Sequence, residues 1–334
     1  MVFWFWVGFA VLAVPPIAAG LVMAALYLYL RWKYVPLLAR IFQEKPLFII
    51  PKGLPSDAAE PVSFPAADGL TLRGCYLHTP AARKGVILFG LEYGSDRWAC
   101  RQYCEGLVAA GYDVFTYEPR NQGDSDKDAA YEPLQWVTDK DLGDFHAAVT
   151  YLRNRPDADP DGIGLFGISK GGSTGFLAAA NDRYIRCVAT DGAYATYTTL
   201  VPYMQRWVKI YSDRKALQKA LPTWFYGLLG LSGVRRVARN RGVTYPSVEK
   251  AVGRLRQPLL MIHGEADAYI KPEMAKALYE RAKGPKELWV VPKAKHNQAL
   301  HVAGDDYHRR VVEFFDKNLG GIQQEPELLP AGAD

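Results

Sequence analysis

The chain has 334 residues, 49% of them hydrophobic and 22% charged, enough to bury one large or two small cores and too apolar for a disordered polymer. Its formal charge of +5 is too mild to imply a nucleic-acid partner. Cys75, Cys100, Cys104 and Cys187 have no Cys-x-x-Cys spacing, no His/Glu cluster has zinc spacing, and no glycine-rich nucleotide fingerprint opens a fold. Neither a metal nor a cofactor is expected, and the scattered cysteines fit a reducing compartment.

Val2 to Leu30 carries no charged side chain, and 2–30 is long enough to cross a bilayer as a helix. Trp4, Trp6, Tyr27, Tyr29, Trp32 and Tyr34 cluster at its two ends, as an interfacial aromatic belt does. Pro15 and Pro16 predict a kink, which membrane helices tolerate. No basic stretch precedes the apolar run, which argues for an anchor (residues 1–34) over a cleaved signal peptide. Arg31, Lys33, Arg40 and Lys45 all follow it, so the expectation is a single-pass protein with its C-terminal part in the cytoplasm. Residues 35–60, punctuated by Pro36, Pro46, Pro51 and Pro55, read as a juxtamembrane connector.

From residue 61 the pattern is that of an α/β domain. Pro61 to Phe64 and Leu70 to Leu77 are strand-like, with a turn at Asp68-Gly69. Strands are then predicted over 85–89, 112–117, 163–166, 187–190, 258–263 and 287–291, and helices over about 98–110, 139–153, 272–282 and 305–318. Short apolar strands separated by helices imply a mostly parallel sheet covered on both faces, with its site beyond the C-terminal ends of the strands. The alternation breaks over about 192–257. Two aromatic-rich helical stretches there, 199–211 and 216–231, read as a helical cap, and Trp207, Tyr211, Trp224 and Phe225 in them are candidate substrate-binding residues or cap packing. Arg235, Arg236, Arg239 and Arg241 form a basic run that is either a solvated helix face or a contact for anionic lipid headgroups. The tail over 321–334 reads as disordered.

Ser169 carries the most chemistry. Gly167-Ile168-Ser169-Lys170-Gly171 follows an apolar strand and opens a helix that runs from Gly172 to Ala180. A nucleophile on so sharp a turn sits in a strained backbone, and its neighbours two positions away have no room for a Cβ. A serine hydroxyl also needs a base and a group to orient it. Of six histidines, only His296 lies in a short loop after a strand late in the chain, with His301 as fallback. The strand before Gly264-Glu265-Ala266-Asp267 offers Asp267 as the orienting acid, with Glu265 two residues nearer. The order Ser169, Asp267, His296 is that expected of this architecture. Donors for a developing oxyanion are the backbone N–H groups of Lys170 and of Leu91 in Gly90-Leu91-Glu92-Tyr93-Gly94, with Glu92 the next choice.

Residues 60–320 resemble the α/β-hydrolase superfamily of serine hydrolases. The likeness rests on the elbow at Gly167 to Gly171, the acid loop ending at Asp267, His296-Asn297, and the Arg120 to Ser125 segment after a strand. The nearest likeness is to membrane-anchored abhydrolase-type esterases. One departure stands out: Phe89-Gly90 replaces the usual His-Gly after the third strand, and Leu91-Glu92-Tyr93 is unusual there. The resemblance implies a carboxylic ester hydrolase acting on a small-molecule or lipid-like ester. An acyl thioesterase or acyltransferase on the same triad is the nearest alternative, and a non-catalytic membrane-tethered scaffold is the alternative of another class.

Overall fold

A computed structural model describes residues 2–45, 50–211 and 221–319, with backbone alone at positions 5, 8, 10 and 207–211. The chain divides into two compact units: a helical one formed by residues 1–45 and 197–243, and an α/β one formed by 46–196 and 244–334.

The α/β unit is built on one eight-stranded sheet: β1 (Ala59–Pro65), β2 (Thr71–Leu77), β3 (Gly85–Gly90), β4 (Tyr112–Glu118), β5 (Ile163–Ile168), β6 (Ile185–Asp191), β7 (Leu259–Gly264) and β8 (Lys286–Val291). The order is β1-β2-β4-β3-β5-β6-β7-β8. The first two strands pair antiparallel as the Asp68-Gly69 turn predicts, and the strands from β3 onward run parallel. β3 has β4 on one side and β5 on the other, so the strand order reverses there. The ends of β3 and β5 therefore flank the crevice where open parallel sheets bind ligands.

Successive residues of a strand point to opposite faces. On β5, Leu165 enters one core with Phe115, Phe145 and Phe176, and Phe166 enters the other with Tyr103, Tyr307 and Phe315. Helices α3 (Asp139–Arg153) and α4 (Lys170–Ala179) cover the first face, and α2 (Cys100–Ala109) covers the second. All seven residues of β4 and all six each of β3, β5 and β7 are buried, which explains the apolar runs of β3 and β5, while β4 also buries Asp113, Thr116 and Glu118.

The helical unit contains α1 (Val2–Phe42), α5 (Tyr197–Tyr211) and α6 (Thr223–Arg241). Leu30, Val35, Ala39 and Phe42 form the buried stripe of α1. Tyr27 shares a 2.7 Å hydroxyl hydrogen bond with Ser232, and Arg241 Nε donates to Gln43 at 2.7 Å, so α6 lies along the C-terminal half of α1. Among the described residues, Val11–Phe42 is the one stretch long and apolar enough to cross a membrane.

Three boundaries differ from the sequence reading. The helix does not give way to a connector at residue 35: it runs through Pro36 to Phe42, because α6 packing holds this stretch helical against the proline. The helical insertion is narrower than 192–257, since 192–196 and 244–257 belong to the α/β unit. α6 runs past 231 and takes in the arginine run before Gly242 ends it in a left-handed conformation. After it come α7 (Val248–Val252), α8 (Pro272–Tyr279), α9 (Ala299–Ala303) and α10 (Asp305–Asn318), the last covering the same face as α2. The tail predicted to be disordered lies outside the described residues, as does the start of the 216–231 helix.

Candidate active site

Ser169 sits between β5 and α4 with φ 50° and ψ −113°, a conformation rare for any residue with a side chain. The surroundings impose it. A Cβ on Gly167 would lie 2.6 Å from Gly172 Cα, and one on Gly171 would lie 2.2 Å from Gly90 O. The turn is pinned from below, where Ser169 N–H donates to Asp191 O at 2.7 Å.

The chain folds so that loops from three strand ends meet at this serine. Ser169 Oγ lies 3.1 Å from His296 Nε2, and His296 Nδ1 lies 2.6 Å from Asp267 Oδ2. Asp267 is buried, and its other oxygen accepts the backbone N–H groups of Tyr269 and Ile270 at 2.8 Å each. A carboxylate so placed accepts a hydrogen bond from Nδ1–H, which fixes the tautomer with Nε2 bare to accept the serine hydroxyl. Glu265, the alternative acid, instead takes the Lys293 N–H at 3.1 Å and braces the histidine loop. The fallback His301 lies exposed on α9.

The two expected oxyanion donors, Lys170 and Leu91, lie on the elbow and on the loop packed against it. Lys170 is the first residue of α4, so its N–H stands outside the helix's own hydrogen-bond ladder. Leu91 follows β3, and its carbonyl would be 2.6 Å from a Cβ on Gly171, which places its loop directly against the elbow. Gln122 holds that loop: its amide donates to Glu92 O at 3.3 Å and accepts from Gly94 N–H at 3.3 Å. Lys170's own side chain turns away, its ammonium bonded to Leu134 O and Asp141 Oδ1 at 2.8 Å each.

Behind the histidine lies a buried polar layer that sequence reasoning missed as a layer. His263 Nε2 donates to Ile270 O at 2.6 Å and stands 3.6 Å from Asp267 Oδ2; burial lowers its pKa and keeps the ring neutral. Asp191, fully buried, accepts Tyr307 OH at 3.1 Å, and burial pushes its carboxyl up to about 7. Burial likewise pushes Glu92 up to about 7, against a hydrogen bond from Asn297. Each of these acids closes or follows a strand, which is the one signal that marked them.

The candidate substrate-binding residues are in the helical unit. Phe225 is buried edge-to-face against Tyr27 of α1, with ring centroids 5.9 Å apart. Trp224 beside it is 58% exposed. The side chains of Trp207 and Tyr211 lie outside the described residues. No group of three or more His, Cys, Asp or Glu able to hold a metal exists among the described residues.

The chain belongs to the prolyl oligopeptidase family, whose model matches residues 102–321 and so spans the serine, the acid and the histidine. It is 27% identical over 267 residues to the uncharacterised Escherichia coli protein YfhR, covering 77% of this chain and 80% of that one. It is 34% identical over 132 residues to thiohydrolase AneE of Aspergillus aculeatus, covering 38% of this chain and 39% of that one. Its fold matches the Pyrococcus furiosus esterase Pf2001 with a TM-score of 0.60 at 24% identity, over 83% of this chain and all of that one. The protein is therefore an α/β-hydrolase of the serine hydrolase kind.

Proposed function

We propose that the protein hydrolyses carboxylic esters through an acyl-enzyme on Ser169. The observation that carries this reading is the continuous path from Ser169 Oγ to His296 at 3.1 Å and on to Asp267 at 2.6 Å, at a strained elbow. Ser169 Oγ attacks the acyl carbon as His296 Nε2 takes its proton. The negative charge that develops on the carbonyl oxygen meets the N–H groups of Lys170 and Leu91, donors fixed before the reaction begins. His296 then returns the proton to the leaving alcohol, and a water activated by the same nitrogen releases the acid. Asp267 keeps the imidazole oriented and stabilises it while charged.

The partial likeness to a thiohydrolase favours a second substrate class, acyl thioesters, for which the same steps hold with a thiol leaving. Steady-state rates on matched p-nitrophenyl esters and acyl thioesters decide between them. Higher kcat/KM on esters supports the first reading, and a preference for thioesters replaces it with the second.

The helical unit acts in this reading as a membrane tether. Residues 1–45 and 197–243 hold thirteen Lys and Arg against two Asp and Glu, while the rest of the chain holds 27 against 33. A cationic unit joined to a long apolar helix suits the anionic cytoplasmic leaflet, in keeping with a cytoplasmic hydrolase domain.

A further inference from the structure

The loop after β3 and the residue after His296 are joined by a buried contact that the triad itself does not use. Asn297 Nδ2 donates to Glu92 Oε2 at 2.6 Å, and the residues are 5% and 3% exposed. Asn297 has φ 54°, a left-handed conformation that Asn tolerates better than most residues. Its side-chain oxygen lies 2.5 Å from where a Cβ on Gly192 would sit, so β6 ends against it. Asn297 is thus clamped between the ends of β3 and β6, and His296 is its covalent neighbour. Glu92 is held in turn, its carbonyl accepting from Gln122 Nε2 and from Ser95 N–H at 3.3 Å each. The contact links the segment that bears an oxyanion donor to the segment that bears the base. Both must keep a fixed distance from one acyl carbon, and misplacement by about 1 Å costs on the order of a hundredfold in rate.

We propose that Glu92 is a positioning residue: acting through Asn297, it sets His296 and the Gly90 to Tyr93 loop at the spacing acyl transfer needs. The proposal rests on Ser169 and His296 being nucleophile and base. An apolar side chain would fill this space at less cost, because a carboxyl taken out of water is destabilised unless it is hydrogen-bonded. Glu92 bears that cost, its acidity suppressed by burial, and the groups that act on it electrostatically or that it acts on are His296, Asn297, Asp191 of β6 and Tyr103 of α2. The site thus keeps a directional hydrogen bond where packing alone would not need one.

The test uses the full-length protein, with two readouts: kcat and KM on the preferred ester or thioester, and the rate at which a fluorophosphonate labels Ser169. Glu92→Leu and Asn297→Gly, the latter chosen because glycine accepts the left-handed backbone, are each expected to lower kcat by about 10–100-fold with KM within about twofold. Because both remove one contact, Glu92→Leu/Asn297→Gly should lose no more than the worse single variant. Glu92→Gln, whose amide oxygen still accepts from Asn297, should return kcat to within a few-fold of wild type, with labelling rates following the same order. Wild-type kcat and labelling in a folded Glu92→Leu protein, or multiplicative losses in the double variant, would overturn the proposal. Failure of the wild-type protein to label at Ser169 would overturn the nucleophile assignment beneath it.

Discussion

Lys170 Nζ lies 2.8 Å from Asp141 Oδ1, which ties the residue after the nucleophile to the N-terminal cap of α3. Asp141 is itself the carboxylate of that helix's capping box, accepting Thr138 N–H at 2.8 Å. The elbow therefore does not hold Lys170, the proposed oxyanion donor, by backbone strain alone: a buried ion pair anchors the same residue from its other end.

This pair gives the first prediction. Lys170→Met leaves Asp141 charged, buried and short of one partner, and should destabilise the protein by about 3 kcal/mol. Replacing Asp141 by Asn in the same protein removes the orphaned charge and should recover part of the loss. Urea unfolding of the two variants checks both; equal midpoints for wild type and Lys170→Met would contradict the account.

A second prediction concerns pH. Native Asp191 keeps its proton to about 7, whereas in the unfolded chain the carboxyl ionises near its ordinary value of 3.8. Between those limits the native state binds more protons than the unfolded state, so this residue's contribution to stability falls as pH rises and is level above about 7. Asp191→Asn cannot ionise and should lack that fall. Relative to wild type it should gain on the order of 2–4 kcal/mol between pH 4 and pH 8. Thermal unfolding across that range gives the difference, and parallel curves for the two proteins would contradict it.

In the helical unit, Phe225 and Trp224 should behave oppositely. Phe225→Ala removes the buried ring that packs on Tyr27 and should cost about 3–4 kcal/mol. Trp224→Ala should leave stability within about 0.5 kcal/mol, as exposed positions usually do. If the unit selects acyl length, Trp207→Ala and Trp224→Ala should shift the preference several-fold per carbon, since each buried methylene is worth about 0.8 kcal/mol. A uniform drop in rate at every chain length would assign these tryptophans to packing.

Topology is tested separately. A reporter that fluoresces only in the cytoplasm, fused after Asp334, should light up, because Arg31, Lys33, Arg40 and Lys45 flank only the C-terminal side of the apolar run. A dark reporter, or a mature N-terminus near Ala18 to Gly20, would mean that the run is a signal peptide.

The eight strands and the meeting of Ser169, Asp267 and His296 were legible because local rules govern them. Strand ends follow apolar runs, the elbow needs glycines at 167 and 171, and the order of the three residues follows the architecture. What was not legible depends on distant partners. Glu92 and Asn297 are 205 positions apart, and Lys170 lies 29 from Asp141, so nothing local marks either pair. The helix through Pro36 contradicts local propensity because α6 packs along it, and the grouping of the first 45 residues with 197–243 has the same origin.

The central claim is that Ser169 is the nucleophile, and covalent labelling reaches it without knowledge of the substrate. The full-length protein is treated with a fluorophosphonate, digested, and its modified peptide read by mass spectrometry. The account predicts one adduct, on Ser169, formed in wild type and absent from folded Ser169→Ala. An adduct on another residue, or equal labelling of the Ser169→Ala protein, would contradict it.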